Sequence, residues 1–332
     1  MGVSKRKRKS LILIVLLILF LAAYSLFYRY FDMASAPFIS ADDAVKSRVA
    51  DDPKISSEPS GLPVMPITPR ASPVPDDFVT IRLSASDISR GCLLLINNDH
   101  YYDITADNDL IEVSGMNTAS YKVANEDILL DASVIGALND MMDAFYDETG
   151  RDSTTIISGF RDYSRQQAIL DDYIKLTGPV EALKWAAPPG HSEHHAGLAI
   201  DLGIFSGGTI RTFTGTGINA WFRNNSYRFG FILRFPKEKT GITGTADEPW
   251  HFRFVDNPHA YFIFKNGWCL EEYIEFIMGY SYEEPYSAVF NGKTYEIYYT
   301  PETELRIPFD CEFDYSGNNI EGFIVTIRRQ PD

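Results

Sequence analysis

Histidines and acidic residues cluster in two short motifs of this sequence. Three of the six histidines lie within Pro189-Gly-His-Ser-Glu-His-His-Ala-Gly-Leu-Ala-Ile-Asp-Leu202, and a fourth ends Glu248-Pro-Trp-His251. Histidine is the commonest metal ligand, and a catalytic zinc ion typically takes three protein ligands and keeps one position open for water. Two histidines and one aspartate would complete such a site, so the motifs predict a centre for metal-assisted hydrolysis.

Asp201 is the candidate carboxylate ligand, because it stands inside an apolar run where an ionised group needs a partner. His194 and Asp201 are seven residues apart, an odd separation that would put them on opposite faces of one strand. They can share a metal only if the chain bends between them, and Gly197 permits a bend. His251 would then arrive from another strand. His195 is an alternative to His194, and the spacing alone does not choose between them.

Glu248 is the candidate general base of this centre. It stands three residues before His251 and is separated from it by Pro249, so its carboxylate can approach the reacting water without being a ligand. The plain alternative is a His-rich surface loop with Glu248 as an ordinary surface charge. We expect His191 and His259 to be non-ligands.

The elements that must position these residues mix helices and strands without a regular alternation. Helical spacing follows Asp131 as far as Gly150, and further helices are predicted over 164–175, 218–228 and 269–278. Short apolar segments predict strands over 92–97, 154–157, 198–202, 231–234, 251–255, 295–299 and 322–327. This order favours an α+β fold over a parallel doubly wound one.

The N-terminal region predicts a membrane anchor. Basic residues 5–9 precede an apolar stretch over 11–28, which as a helix would span ~27 Å of a bilayer core that is ~30 Å thick. We predict a cytoplasmic tail over 1–10, a single transmembrane helix over 11–31 and an extracytoplasmic remainder. A cleaved signal peptide is the alternative, because Ala34-Ser-Ala36 looks like a cleavage site, although Pro37 is a poor first residue.

The rest of the chain divides into three predicted parts. Residues 32–78 are rich in proline and serine and form a semi-extended linker, 79–279 form the catalytic domain, and 280–332 form a small β-rich appendage. The net charge of −15 argues against nucleic-acid binding, which needs a basic surface. Three scattered cysteines are too few for a disulfide framework.

Three blocks of the sequence resemble the signatures of VanY-type D-alanyl-D-alanine carboxypeptidases. They are Ser158-Gly-Phe-Arg161 with Gln166, Gly190-His-Ser-Glu-His194 with Gly197-Leu-Ala-Ile-Asp201, and Glu248-Pro-Trp-His251-Phe-Arg-Phe254. The resemblance covers roughly residues 93–277. It implies a small, mostly antiparallel sheet with helices, as in the related hedgehog signalling domain, and a zinc cofactor.

The resemblance also implies roles for individual residues. It favours His194 over His195 as a ligand, together with Asp201 and His251, because the family often has glutamine at the position of His195. It implies that Glu248 is the catalytic base and that Arg161 stabilises the oxyanion or the substrate carboxylate. Ser192 would touch the substrate, and Gln166 would brace the loop of Arg161. The Phe160 and Phe252 positions often carry tyrosine in the family, a conservative departure.

The function that the resemblance implies is zinc-dependent removal of the terminal D-alanine from peptidoglycan stem peptides. The predicted anchor and linker would place this activity at the outer face of the cell membrane or in the wall. A wall endopeptidase, a D,D-dipeptidase and a non-catalytic wall-binding module are the alternatives. An outward-facing anchor argues against the dipeptidase, which acts on a free cytoplasmic dipeptide, and intact Glu248 and Arg161 argue against the non-catalytic module. Pocket length decides between carboxypeptidase and endopeptidase. No obligate protein partner is implied.

Overall fold

The computed structural model describes residues 78–104, 108–309 and 311–329 of the chain. The strands in these residues are β1 Phe78–Arg82, β2 Leu110–Glu112, β3 Lys122–Val123, β4 Leu129–Asp131, β5 Thr154–Ser158, β6 Ala199–Ser206, β7 Thr209–Thr212, β8 Phe231–Leu233, β9 His251–Phe254, β10 Tyr286–Phe290, β11 Lys293–Thr300, β12 Glu304–Pro308, β13 Glu312–Gly317 and β14 Phe323–Arg329. The α-helices are α1 Ala132–Thr149, α2 Tyr163–Thr177, α3 Pro179–Ala182, α4 Ala220–Asn225, α5 Thr240–Thr243, α6 His259–Asn266 and α7 Leu270–Met278. The predicted α+β class is confirmed.

A six-stranded sheet organises the first part of the fold. Its order is β3-β5-β6-β9-β8, and β7 pairs with the C-terminal half of β6. Only the β3–β5 pair is parallel, so this sheet is mostly antiparallel, as expected. The register places Asp201 directly opposite His251 on the adjacent strands β6 and β9.

Alternation along β6 separates the hydrophobic core from the polar face of the sheet. Ile200 and Leu202 are fully buried in the core that α1 covers, whereas Asp201 between them points to the other face. The sequence sets both ends of α1. The side chain of Asp131 accepts a hydrogen bond from the backbone N–H of Ser133, and Gly150 ends the helix at φ 66°.

The predicted bend before β6 is present at Gly197. A 3-10 turn, Glu193–Ala196, precedes it, and Gly197 has a φ of 71° in the left-handed region. A Cβ atom there would lie 2.7 Å from Leu110 Cδ2 and 2.9 Å from the backbone nitrogen of Asp131. Both the backbone conformation and the close approach therefore require glycine.

A second sheet, in the order β10-β11-β14-β13, occupies the C-terminal part, while β12 pairs with β1. The strand β1 therefore pairs with a C-terminal strand, although Phe78 was predicted to end the linker and 79–82 to begin the catalytic domain. One buried hydrophobic cluster contains residues from both parts, namely Leu93, Leu95, Ile232, Val255, Tyr273, Ile274, Ile297 and Ile324. The boundary predicted between 279 and 280 falls inside this shared cluster.

Two predicted elements differ from the structure. Segment 92–97 is buried as expected but is not a strand, because side chains and irregular backbone satisfy its polar groups. Arg253 Nη2 donates to the carbonyls of Cys92 and Leu94, and Ser316 Oγ accepts from the N–H of Leu93. The predicted helix over 218–228 is divided into a 3-10 turn, α4 and a second 3-10 turn that ends at Gly230.

The predicted membrane anchor over 11–31 and most of the predicted linker lie outside the described residues. Within the described residues, no helix has the length and hydropathy needed to cross a membrane.

Candidate metal centre and active site

Three buried side chains from separate elements meet on the polar face of the six-stranded sheet. His194 comes from the 3-10 turn, Asp201 from β6 and His251 from β9, and one potential ligand atom from each lies within 4.8 Å of the other two. These are the three residues expected to share a metal. They form the one group of this kind within the described residues.

The surroundings of His194 leave one ring nitrogen available at the centre. Its Nδ1 donates to the carbonyl of Gly159 at 2.5 Å, which places the lone pair on Nε2. That Nε2 is buried, lies 3.3 Å from Asp201 Oδ2 and has no hydrogen-bond partner in the described part of the chain. Burial and the nearby charge of Arg161 lower the pKa of His194 to about 4, so the imidazole is neutral near pH 7.

His195 is engaged elsewhere through both of its ring nitrogens. Its Nδ1 donates to the carbonyl of Arg161 at 2.6 Å, and its Nε2 accepts from the N–H of Gly190 at 2.9 Å. The edge of its ring also contacts Tyr163. His195 therefore connects two loops, and of the two adjacent histidines it is His194 that lies beside Asp201.

Asp201 and His251 are in direct contact. His251 Nδ1 lies 3.0 Å from Asp201 Oδ1. Burial opposes ionisation of both groups. The attraction of His194, His251 and Arg161 nevertheless holds the pKa of Asp201 well below its usual range. Hydrogen bonds to Asp201 and Glu193 raise the pKa of His251 to about 9. A histidine nitrogen that binds a metal ion must be deprotonated.

Glu248 lies beside the three candidate ligands. It is 8% exposed, and its Oε2 is 3.8 Å from His251 Nδ1. The backbone of Glu248 is fixed on both sides: its N–H donates to Phe235 and its carbonyl accepts from His251. Burial raises the pKa of Glu248 to about 8, against the opposing charge of His251. A carboxyl group with such a pKa can exchange protons near neutral pH.

Arg161 reaches the centre from the loop after β5. Its Nη2 donates to Asp201 Oδ2 at 3.1 Å, and its Nη1 donates to Gln166 Oε1 at 3.0 Å. Gln166 in turn donates to the carbonyl of Ala187 at 2.8 Å, which is the bracing contact expected from the sequence. The guanidinium is thus fixed at the rim of the centre, with the side chain 15% exposed.

Ser192, His191 and His259 lie outside the group of three candidate ligands. Ser192 is 7% exposed at the start of the turn, and its carbonyl accepts from the N–H of His195. Its contact with substrate stays a prediction. His191 Nδ1 lies 2.8 Å from the carbonyl of Asn97, away from the candidate ligands. His259 Nδ1 lies 2.6 Å from the hydroxyl of Tyr273, in the shared cluster of the two sheets.

The sequence predicted no role for three charged residues near the centre. Glu193, Arg234 and Arg253 are almost completely buried, and Glu193 Oε2 lies 3.3 Å from His251 Nε2. Burial opposes ionisation of Glu193, but the two arginines and His251 hold its pKa far below its usual range. A signal was available, because each arginine stands within a short, mostly apolar segment of the sequence and a buried charge needs an opposite one.

A mostly antiparallel sheet that holds two histidines and an aspartate beside a buried glutamate fits the class of metal-dependent hydrolases. Comparison with known proteins then gives the family. The VanY family model, described as D-alanyl-D-alanine carboxypeptidase, matches residues 127–257. A D-alanyl-D-alanine carboxypeptidase of Enterococcus faecium is 30% identical over 251 residues, which cover 74% of this chain and 78% of that protein. The chain therefore belongs to the VanY family.

Two further relatives support this assignment. A D-alanyl-D-alanine carboxypeptidase of Enterococcus faecalis is 43% identical over 131 residues, which cover 36% of this chain and 46% of that protein. The crystal structure of the vancomycin resistance D,D-dipeptidase VanXYg, in complex with a D-Ala-D-Ala phosphinate analogue, superposes with a TM-score of 0.68 at 34% identity. That superposition covers 76% of this chain and 100% of the dipeptidase.

Proposed function

We propose that this chain is a zinc-dependent D,D-carboxypeptidase that removes the terminal D-alanine from peptidoglycan stem peptides. The observation that carries the proposal is the convergence of His194, Asp201 and His251 with Glu248 at their side. Two relatives that are named D-alanyl-D-alanine carboxypeptidases support the choice of substrate.

The donor set fits a catalytic zinc ion. Two imidazoles and one carboxylate are ligands that zinc prefers, and three protein ligands leave a position open. The Nε2 of His194 is buried and has no hydrogen-bond partner among the described residues, so it is the ligand atom that such an ion would satisfy. When bound, zinc supplies Lewis acidity and lowers the pKa of water from ~15.7 toward ~7.

Glu248 supplies proton transfer in this proposal. Its carboxylate accepts a proton from the attacking water and later returns it to the amine of the departing D-alanine. The rigid backbone contacts of Glu248 and its 3.8 Å separation from His251 support this role, since a general base must lie within reach of the reacting water. Glu248 is not one of the three residues whose ligand atoms converge.

Arg161 and Ser192 act on the substrate in this proposal. Arg161 stabilises the developing negative charge on the substrate carbonyl oxygen or binds the terminal carboxylate, tasks that suit a fixed guanidinium. Its bonds to Gln166 and Asp201 hold it in place before substrate arrives. Ser192 lies two residues before His194 and contacts the bound peptide.

The place of action is a further part of the proposal. The basic run over 5–9 and the apolar stretch over 11–28 would anchor the chain in the cell membrane with its catalytic part outside. Peptidoglycan stem peptides are found on that side. The dipeptidase VanXYg, which the chain resembles over the whole length of that structure, makes D,D-dipeptidase activity the second candidate.

Mass spectrometry of a synthetic stem pentapeptide ending in D-Ala-D-Ala tests the proposal. The zinc-loaded protein should release one D-alanine, and both the chelated protein and a Glu248→Ala variant should release none. A matched pentapeptide ending in D-Ala-L-Ala should stay intact. Cleavage of free D-Ala-D-Ala instead would establish the dipeptidase, an internal cut would establish an endopeptidase, and no cleavage of any of these peptides would contradict the proposal.

A further inference from the structure

The two ring nitrogens of His251 face different carboxylates. Nδ1 lies 3.0 Å from Asp201 Oδ1 and 3.8 Å from Glu248 Oε2, on the side of the proposed zinc site. Nε2 lies 3.3 Å from Glu193 Oε2, on the opposite side of the ring. A metal ion held together with Asp201 would therefore use Nδ1, which leaves Nε2 protonated and donating to Glu193.

The carboxylate of Glu193 is itself fixed through its other oxygen. Oε1 accepts from Arg234 Nε at 2.7 Å and from Arg253 Nη1 at 2.8 Å. The side chains of both arginines are 0% exposed, and that of Glu193 is 2% exposed. These charge-assisted hydrogen bonds restrain the carboxylate and leave Oε2 for His251.

The two arginines are fixed in turn by distant parts of the chain. Arg234 donates to both oxygens of Glu271, at 2.6 and 2.8 Å, and Arg253 donates to the carbonyls of Cys92 and Leu94. Two glutamates thus balance two arginines in an interior where an unpaired charge is strongly destabilising. The paired charges keep Glu193 ready to accept from His251 without burying a net charge.

We propose that Glu193 is a positioning residue for the metal, because it holds the ring of His251 through Nε2 and so presents Nδ1 toward Asp201 and His194. This inference rests on the proposed zinc function. A carboxylate that accepts from a metal-bound histidine fixes both its tautomer and its ring orientation, and loss of such a partner weakens metal binding by about 10–100-fold.

The test compares Glu193→Gln with Glu271→Gln in zinc binding. Each substitution removes the negative charge of one glutamate that is ion-paired with Arg234. Of the two glutamates, Glu193 is the one that contacts His251. We expect Glu193→Gln to raise the zinc Kd by about 10–100-fold in chelator competition, while Glu271→Gln keeps the wild-type Kd. The visible spectrum of the cobalt-substituted protein should change in Glu193→Gln alone, because the ring that supplies one ligand is no longer held.

Two results would overturn this role of Glu193. One is wild-type zinc affinity and an unchanged cobalt spectrum in Glu193→Gln. The other is an equal loss of affinity in both variants, which would assign the effect to the stability of the arginine pairs. If Glu193→Gln does not fold, the zinc affinity of Glu193→Asp tests the positioning role instead. This variant keeps the negative charge between the arginines, but its shorter side chain withdraws the carboxylate oxygen from His251. Wild-type zinc affinity in Glu193→Asp would then refute the role.

The proposed function fails in a distinguishable way. A wild-type protein that binds no zinc, or that binds zinc but leaves every test peptide intact, contradicts the proposed function. A wild-type protein that binds zinc and cleaves the pentapeptide, together with an unaffected Glu193→Gln variant, contradicts only the positioning role of Glu193.

Discussion

Two buried histidines of this protein have opposite electrostatic surroundings. His251 in the candidate metal centre is 3% exposed and His259 at the junction of the two sheets is 5% exposed. Burial lowers the pKa of both, but hydrogen bonds to Asp201 and Glu193 reverse the effect at His251 and raise its pKa to about 9. The ring nitrogens of His259 contact hydroxyl groups, and burial lowers its pKa to about 3.

The difference shows which charge state of histidine each region stabilises. His259 lies between two hydroxyl groups, with Tyr273 at Nδ1 and Thr326 at Nε2, so a neutral ring joins α6, α7 and β14. His251 lies between two carboxylates, which favour a positive charge at its position. Neighbouring groups, and not the degree of burial, thus distinguish a structural histidine from one suited to a cation.

The largest expected effect concerns the choice between neighbouring histidines. His194→Ala should lose zinc binding, because it removes the one ring nitrogen that faces Asp201 from the turn. His195→Ala should still bind one zinc ion per chain, since both nitrogens of His195 are used in loop contacts. Metal analysis after dialysis measures both, and the reverse pattern would exchange the two assignments.

The next effect separates catalysis from metal binding. Glu248→Ala should lower kcat for the stem pentapeptide by about 10²–10⁴-fold, the usual contribution of a general base, and should still bind zinc. Asp247→Ala is the matched control, because Asp247 is the adjacent acidic residue and is exposed. Turnover near the wild-type rate in Glu248→Ala would remove Glu248 from the role of base.

A smaller effect is expected when the guanidinium of Arg161 is replaced by an ammonium. Arg161→Lys keeps the charge but cannot contact both Gln166 and Asp201, so it should lose a charged hydrogen bond worth about 1.5–3 kcal/mol. We expect kcat/KM to fall by about 10–150-fold at that cost. Arg165→Lys is the control, because Arg165 is exposed on the same loop-to-helix segment. Equal kinetics in the two variants would show that Arg161 does not act on the reaction.

The effect that is smallest for each pH unit tests the neutral histidine of the comparison. Because the folded pKa of His259 is below its unfolded value of 6.5, its contribution to stability is full above pH 6.5 and is lost as pH falls toward about 3. The stability difference between wild type and His259→Gln should therefore shrink by at most about 1.4 kcal/mol for each pH unit below 6.5. Urea unfolding of the metal-free proteins measures this difference, and parallel pH curves would contradict the assignment.

The local elements were predictable where the sequence pattern is complete within one segment. The helix α1 carries its own start and stop signals at Asp131 and Gly150, and both act as expected. Segment 92–97 has the composition of a strand, but its partners are Arg253 and Ser316, which lie far away in sequence. A pattern within six residues contains no information about such partners, so the segment was predicted incorrectly.

The sequence by itself determined the chemical types of the candidate site and the bend that brings them together. His194, Asp201, His251 and Glu248 are recognisable from their motifs, and Gly197 permits the turn that they require. Only the tertiary structure decided which of two adjacent imidazoles faces Asp201. That choice depends on hydrogen bonds from loops distant in sequence, and the same is true of the arginines that hold Glu193, because a buried charge is stable only where folding supplies its partner.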